Sequence, residues 1–528
     1  MKTRSFLLSV LAALMLAGCS EDAREDEIPG NVLVGKAYLS LSLQSRTSTL
    51  TRVDNVKTED GSAEESAVET VTVLLFDEDE MCLDVVNVPS GEITVGNSGG
   101  STPTTATASK AQLVPEKTKK VFVVLNSAKW TFTKEAVVGK AWSTINTAIE
   151  AVIGDVATNS KFVMASAGTK ANGALTPVTV HKPATYTASD VAAAKKAAED
   201  APATINVDRL SAKVQVSQAS GFTKPTGSNF TFNGWELSVT NKSVRLYSDL
   251  VTYDNATPGA VYRRDKNYLE SEQPDVSDNN TKEANMDAAF NYLKNIKNVS
   301  ENIPAVAQVD KASLYCLENT MEAKAQQLGF TTKVVVKAQY TPAGITKDAN
   351  YFSWKGAYYT LVQLKAEYLK HPNNSGLKVD LPAFLKKAGV MSQAEFDEGQ
   401  NKRDEIVAGL SEGASANQLN AKTGIIGRFC AVRYYHASVC YYDVLIRHDQ
   451  NITTKMALGR YGVVRNNWYN IELNSVSGPG TPWIPDPSDP DPTNPTPPDT
   501  DDDEADAYLS VKITINPWTY WTQGVDLH

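Results

Sequence analysis

Basic charge is not in excess in this sequence: 51 Lys and Arg stand against 61 Asp and Glu, a formal net charge of -10. A nucleic-acid surface needs clustered Lys and Arg to displace phosphate counterions, so nucleic acid is excluded as a partner. The apolar run from Phe6 to Ala17, behind Lys2 and Arg4, is too short to cross a bilayer as a helix and has the layout of an export signal. Catalytic signatures are sparse as well, with neither a Gly-rich phosphate loop nor a dinucleotide fingerprint.

The near-matches to catalytic motifs fail on context. Gly96-Asn97-Ser98-Gly99-Gly100 fits the G-x-S-x-G elbow of hydrolases, but that elbow needs a helix directly after the Ser, and "STPTTATAS" is turn and strand chemistry. His436 and His448 lie near Cys430 and Cys440 without Cys-x-x-Cys or His-Glu-x-x-His spacing, so no metal site is expected. The acidic run Asp499 to Glu504 lacks the central Gly and the spacing of a calcium loop and reads as solvated linker. The chain is therefore expected to be no enzyme and to need no cofactor.

Cysteine is rare, five in 528 residues. Cys19 closes Leu16-Ala17-Gly18-Cys19, which resembles the bacterial lipobox, in which the Cys thiol is diacylated and becomes the mature N-terminus. Several acyl chains together hold a protein on a membrane where one binds marginally. Cys82, Cys316, Cys430 and Cys440 remain, and their three possible disulfide pairings stand beside buried free thiols.

A chain of 528 residues is too long for one core, and two or three domains are expected. Short strands recur, as in "ETVTVLLFD", "KKVFVVLNS", "TINVDRLSAKVQVS", "FTTKVVVKAQY" and "CYYDVLIRH", separated by turn residues at the spacing of β-sandwiches. Surface helices are expected from Ser189, Thr281 and Ser392 as insertions. The turn-rich "SQASGFTKPTGSN" places a domain boundary near 220. From Gly478 to Ala505 the chain is Pro- and Asp-rich, and as an extended linker it would reach roughly 80 Å.

One strand occurs twice. "AYLSLSL", Ala37 to Leu43, puts Leu39, Leu41 and Leu43 on one face, and "AYLSVKITI", Ala507 to Ile515, repeats the register with Leu509, Val511, Ile513 and Ile515. The first copy precedes Arg46 and Arg52, in a polar segment open to an arginine-specific protease; the second follows the linker. Cleavage would free the first strand and leave an open groove, which the C-terminal strand of another molecule fills. Such head-to-tail contacts build an open fibre.

These ends, with "VFVVLNS", "VDRLSAKV", "CYYDVLIRH", "LGRYGVVRNNWYNIELNSVSGPGTP" and "AYLSVKITINPWTYWTQGVDL", resemble the fimbrillin family of Bacteroidales type V pili, and within it most nearly the minor-fimbrium (Mfa-type) shaft subunits. The resemblance implies a mainly β fold of two transthyretin-like β-sandwich domains with helical insertions, plus a C-terminal donor strand on the Pro/Asp-rich linker. It also implies export as a lipoprotein, removal of the first strand at the outer membrane, and polymerisation into a surface fimbrium that supports adhesion and biofilm formation. Carried onto this chain, Cys19 is lipidated and the cut falls between Arg52 and Val53, with Arg46 as second choice; Tyr508, Leu509, Val511, Ile513 and Ile515 form the donor strand. The expected organisation is a signal peptide over 1–18, a lipidated propeptide over 19–52, β-sandwiches over 53–220 and 221–477, a linker over 478–506 and the donor strand over 507–528.

The partners implied are other copies of the chain, accessory tip and anchor subunits, the processing protease, and host or bacterial surface ligands. The rival from another class is a monomeric glycan-binding surface lipoprotein, in which Trp354, Tyr358 and Tyr359 of "FSWKGAYYT" stack on sugars, although buried strand aromatics also explain them. A lipoprotein hydrolase using Ser98 is the third reading.

Overall fold

In the computed structural model the described residues are 33–45, 59–60, 62, 65, 67–88, 93–94, 110–127, 130, 132–147, 149–151, 153–158, 161–253, 261–294, 312–412, 419, 430–449, 451–489, 496–504, 509–519 and 523–525. The fold is mainly β with few helices. Its first strands are Lys36–Leu39 (β1), Leu41–Ser45 (β2), Val71–Phe76 (β3), Cys82–Val88 (β4), Gln112–Pro115 (β5), Lys120–Leu125 (β6), Met164–Ser166 (β7) and Ala203–Arg209 (β8). Six of them form one sheet in the order β4-β3-β6-β7-β8-β2. All pairs in it are antiparallel except β8 with β2.

The unbroken apolar runs of β3 and β6 have a plain cause: both faces of this sheet are buried. Val71, Val73, Leu75, Val121, Val123 and Leu125 enter one core, while Leu74, Phe76, Phe122 and Val124 enter another, closed by Trp130, Phe132 and Trp142. A strand covered on both sides has no position reserved for polar residues.

The stretch from Thr204 to Ser217, which reads as a single strand, is two. β8 ends at Arg209 and Ser211–Thr223 (β9) begins a different sheet. Apolar parity changes between them: Ile205 and Val207 face the first core, Ala212, Val214 and Val216 the second. The chain therefore changes sheet at Leu210, and the turn-rich segment near 220 carries it from β9 to Asn229–Ser238 (β10) in the facing sheet. Buried ion pairs mark the junction, Arg263 with Asp208 at 2.6 Å and Arg465 with Glu318 at 2.8 Å. Each charge is tolerable there only because its partner is present.

The second unit continues with Ser313–Leu317 (β11), Lys333–Thr341 (β12), Tyr351–Trp354 (β13), Ala357–Tyr359 (β14), Val432–Tyr435 (β15), Val439–Leu445 (β16), Asn467–Val476 (β17), Leu509–Thr519 (β18) and Gln523–Val525 (β19). One sheet runs β11-β9-β17-β18 and another β10-β12-β16. Val214, Val216, Tyr469 and Ile471 of the first share a core with Trp235, Val334, Val336, Cys440 and Tyr442 of the second. This is a β-sandwich.

Helices occupy the three expected places, as Ala188–Asp200 (α1), Lys282–Ala289 (α2) and, after two further helices Leu361–Lys370 (α3) and Leu377–Lys387 (α4), the pair Gln393–Asp397 (α5) and Gln400–Gly409 (α6). The single helix expected from Ser392 is broken at Gly399, whose φ is +105°. α3 and α4 were not anticipated, although the capping box of Thr360 and Gln363 was present as a signal. Pro382 inside α4 concealed the other. With α6 and the strands β13 and β15 they build a further core, in which Leu361, Leu364, Leu377, Leu381, Phe384 and Val407 meet Phe352, Trp354, Val432 and Tyr434.

The Pro/Asp-rich segment departs from expectation. Its described residues lie on the second unit instead of extending away from it. Ile484 is fully buried against Val335 and Tyr441, and Trp483 is 2% exposed. Gly329 N donates to Pro498 O at 2.9 Å and Leu328 N to Thr500 O at 3.0 Å. In the acidic run, Asp503 accepts from Arg460 Nη2 at 2.8 Å and from Tyr461 Oη at 2.9 Å. Asp502 is buried and accepts from Thr331 Oγ1 at 2.5 Å. Two apolar side chains and specific partners for its acids hold a segment whose average composition is that of a solvated linker.

Burial carries a pH consequence. It raises the Asp502 carboxyl from 3.8 to about 8, and it acts likewise on Asp265, reinforced by the nearby Glu318. Between roughly pH 4, where an unfolded Asp ionises, and the folded value, the folded chain holds more protons than the unfolded one, so stability falls as pH rises. We expect the unfolding midpoint to drop from pH 5 to pH 8, and Asp502→Asn to make the drop shallower. Equal slopes in denaturant titrations of the two proteins would contradict this assignment.

Candidate strand-exchange groove

The first copy of the repeated strand is seated deep in the first unit. Leu39, Leu41 and Leu43 are at most 1% exposed and share a core with Val73, Val121, Val123, Ile205 and Val207. The three residues expected on one face are thus together. At about 1.5–3 kcal/mol for each buried leucine, their seat contributes roughly 5–9 kcal/mol.

The backbone of the segment is equally engaged. β1 pairs antiparallel with β5 from Lys36 opposite Pro115 to Leu39 opposite Gln112. Tyr38 N donates to His181 O, and His181 N to Tyr38 O, both at 2.8 Å. β2 lies parallel to β8 from Leu41 beside Ala203 to Ser45 beside Val207, and Ala203 N donates to Ser40 O at 2.9 Å. Withdrawing the segment would leave an apolar trough flanked by unpaired backbone groups of β5 and β8. Such a trough accepts another extended strand, since main-chain hydrogen bonds give affinity and alternate side-chain sites give specificity.

The opposite face of the strand is covered too, which alternation alone did not reveal. Tyr38 and Ser40 are 2% and 1% exposed. Tyr38 packs on Ala194 and Ala198 of α1, with Val191, Ala111 and Leu113 around it. The helix read as a surface insertion is therefore a cover for this strand. An alanine face on a helix gives no local signal of this role.

A test follows from the geometry. Leu41→Ala opens a cavity in a core and is expected to destabilise the full chain by about 2–5 kcal/mol in denaturant unfolding. An unchanged midpoint would mean that Leu41 is not seated as described.

The second copy lies on its own chain. β18 is antiparallel to β17, with Leu509 opposite Val476, Val511 opposite Leu473, Ile513 opposite Ile471 and Ile515 opposite Tyr469. Val511 packs against the second core. β19 then reaches the first strand, Gly524 opposite Ser42 and Gln523 opposite Leu43. The two ends of the chain thus meet in one sheet. Cys19, Arg46, Arg52, Val53, Ser98 and Tyr508 lie outside the described residues.

The remaining candidates have internal uses. Trp354 is buried and its Nε1 donates to Asp380 Oδ2 at 2.8 Å, and half-buried Tyr358 stacks edge-on with Tyr351 at 5.9 Å. Half-buried Tyr359 packs against the helical core. His448 Nδ1 meets the Tyr469 hydroxyl at 2.9 Å, and burial pulls the His436 pKa down. Cys82, Cys316, Cys430 and Cys440 are free thiols. Burial pushes Cys82 and Cys440 up to about 11 and Cys316 to about 12, which keeps them protonated and unreactive.

Residues 433–524 match the model of the family described as "Major fimbrial subunit protein type IV, Fimbrillin, C-terminal". No curated protein matches the chain. Among solved structures it is similar to a candidate cell adhesion protein from Parabacteroides distasonis, at 16% identity and TM-score 0.41, covering 92% of this chain and 99% of that one. It is also similar to a fimbrilin (fimA) from Porphyromonas gingivalis, at 15% identity and TM-score 0.37 over 92% and 98% of the two chains. The tip fimbrial protein Mfa3 from the same organism is similar at 10% identity and TM-score 0.33 over 92% and 100%. The resemblance to the fimbrillin family read from the sequence is thus matched at its C-terminal end, where residues 433–524 correspond to that family's C-terminal region.

Proposed function

We propose that this chain is the structural shaft subunit of a bacterial fimbrium, made as a lipoprotein precursor acylated at Cys19 and activated by removal of its first strand. An arginine-specific protease cuts after Arg52, the propeptide leaves with β1 and β2, and Val53 becomes the new N-terminus. The tail of a neighbouring copy, residues 508–515, then leaves its own sheet and enters the vacated trough. Repeated head to tail, the exchange builds the fibre at the cell surface, where tip and anchor subunits complete it. In this reading the mature subunit comprises two β domains, the packed Pro/Asp-rich segment and the donor strand, and it carries no catalytic site.

The observation that supports this reading most is the seat of Leu39, Leu41 and Leu43, buried in a core to which the mature chain would contribute the walls but not the filling. A segment destined only to tether a lipid would have no reason to complete that core. N-terminal sequencing of protein stripped from the cell surface as fibres is expected to begin at Val53. A fibre whose subunits retain Leu39 to Leu43 would overturn the proposal.

A further inference from the structure

Apolar complementarity alone does not set the register of the exchanged strand. The resident strand offers three buried leucines, Leu39, Leu41 and Leu43, whereas the tail offers four aliphatic residues, Leu509, Val511, Ile513 and Ile515. A slip of two residues keeps the same face inward, because side chains alternate with a period of two. Seating Leu509-Val511-Ile513 or Val511-Ile513-Ile515 would bury comparable apolar surface. The other face differs between the two registers: in the first, the residue in the place of Tyr38 is Tyr508, and in the second it is Ser510.

The structure has a feature that distinguishes them. Tyr38 lies 2% exposed against Ala194 and Ala198, both buried on one face of α1, and Lys195 Nζ is 5.8 Å from the centre of its ring. Side chains of alanine size leave room for an aromatic ring, and a serine there would leave that room empty. The buried Tyr38 hydroxyl finds no hydrogen-bond partner among the described residues, so the slot recognises a ring and not a hydroxyl. Ala37-Tyr38-Leu39-Ser40 recurs as Ala507-Tyr508-Leu509-Ser510, with the tyrosine at the same offset from the aliphatic face.

We propose that the Ala194/Ala198 face of helix α1 is an aromatic register slot, occupied by Tyr38 in the precursor and by Tyr508 of a second copy of this chain in the fibre. It rests on strand exchange as proposed above and adds what fixes its register. The helix thereby becomes a specificity element of assembly: it rejects a tail shifted by two residues and any extended segment lacking an aromatic one position before its first aliphatic.

The test uses full-length precursor, cleaved with an arginine-specific protease and followed by gel ladders and size-exclusion chromatography. Tyr508→Ala is expected to weaken assembly by roughly thirtyfold or more, the loss that follows truncation of a buried aromatic anchor at an interface. Tyr508→Phe is expected to assemble like the wild type, because the hydroxyl has no role. The double variant Tyr38→Ala with Ala198→Leu fills the slot while relieving the precursor; it is expected to refuse the wild-type tail and to recover assembly when Tyr508→Ala is added. Assembly of Tyr508→Ala at the wild-type level, in a protein whose tail deletion abolishes assembly, would overturn the slot and leave strand exchange standing. Undiminished assembly after tail deletion would instead remove the exchange reading itself.

Discussion

Deleting Tyr508 to His528 is expected to leave processed monomers and no fibre. If the tail is the occupant of the vacated trough, it buries Leu509, Val511, Ile513 and Ile515 there, and at about 1.5–3 kcal/mol each they provide roughly 6–12 kcal/mol before the cost of association. Without them nothing links one subunit to the next. The deletion also strips β18 from β17, but β11, β9 and β17 remain paired and the core of the second unit keeps Ile471, Leu473 and Tyr469. The truncated subunit should therefore fold, which circular dichroism would check. The exposed edge of β17 invites irregular association, so the readout must be an ordered ladder and not mere turbidity. A ladder formed by the truncated chain would end the donor role of this segment.

The second large effect concerns the opposite end. Arg52→Ala is expected to retain the first strand and to block assembly completely even though the tail is intact. A strand tethered to its own groove acts as an intramolecular ligand, and a neighbour's tail at ordinary concentrations does not compete with it. N-terminal sequencing together with the ladder assay reads both parts. Processing that continues unchanged would move the cut to Arg46 or elsewhere, and assembly with the first strand still attached would contradict the idea that the two strands share one site. In combination with Leu41→Ala, the uncut variant offers a sharper contrast: a weakened resident strand should let some tail in without any cleavage.

Much of this was legible in the residues alone. The alternation of "AYLSLSL" announced that Leu39, Leu41 and Leu43 share one buried face, because pleating gives the backbone no other choice once those side chains must meet a core, but not that the other face is covered as well. The unbroken apolar runs of β3 and β6 and the repeat of the first strand near the C-terminus are likewise plain in the residues, and the proposal of a shared site rests on that repeat. The fimbrillin-like segments were also properties of local sequence.

Other features depended on which distant residues meet. Nothing local in "SDVAAAKKAAEDA" says that Ala194 and Ala198 cover Tyr38, since an alanine face on a helix is compatible with solvent until a partner presses on it. Composition made residues 478–506 look solvated, yet Ile484 finds a site beside Val335 and Tyr441, Asp502 finds Thr331, and Asp503 finds Arg460. Averages over a window hide single side chains that have partners far away in the chain. The change of sheet at Leu210 shows both levels at once: the change of parity from Ile205 and Val207 to Val214 and Val216 was written in the sequence, but only the two cores give it meaning. Local chemistry determined that strands form and which face each would bury. Long-range packing decided what each face is buried against, because that energy belongs to pairs of surfaces and not to either one.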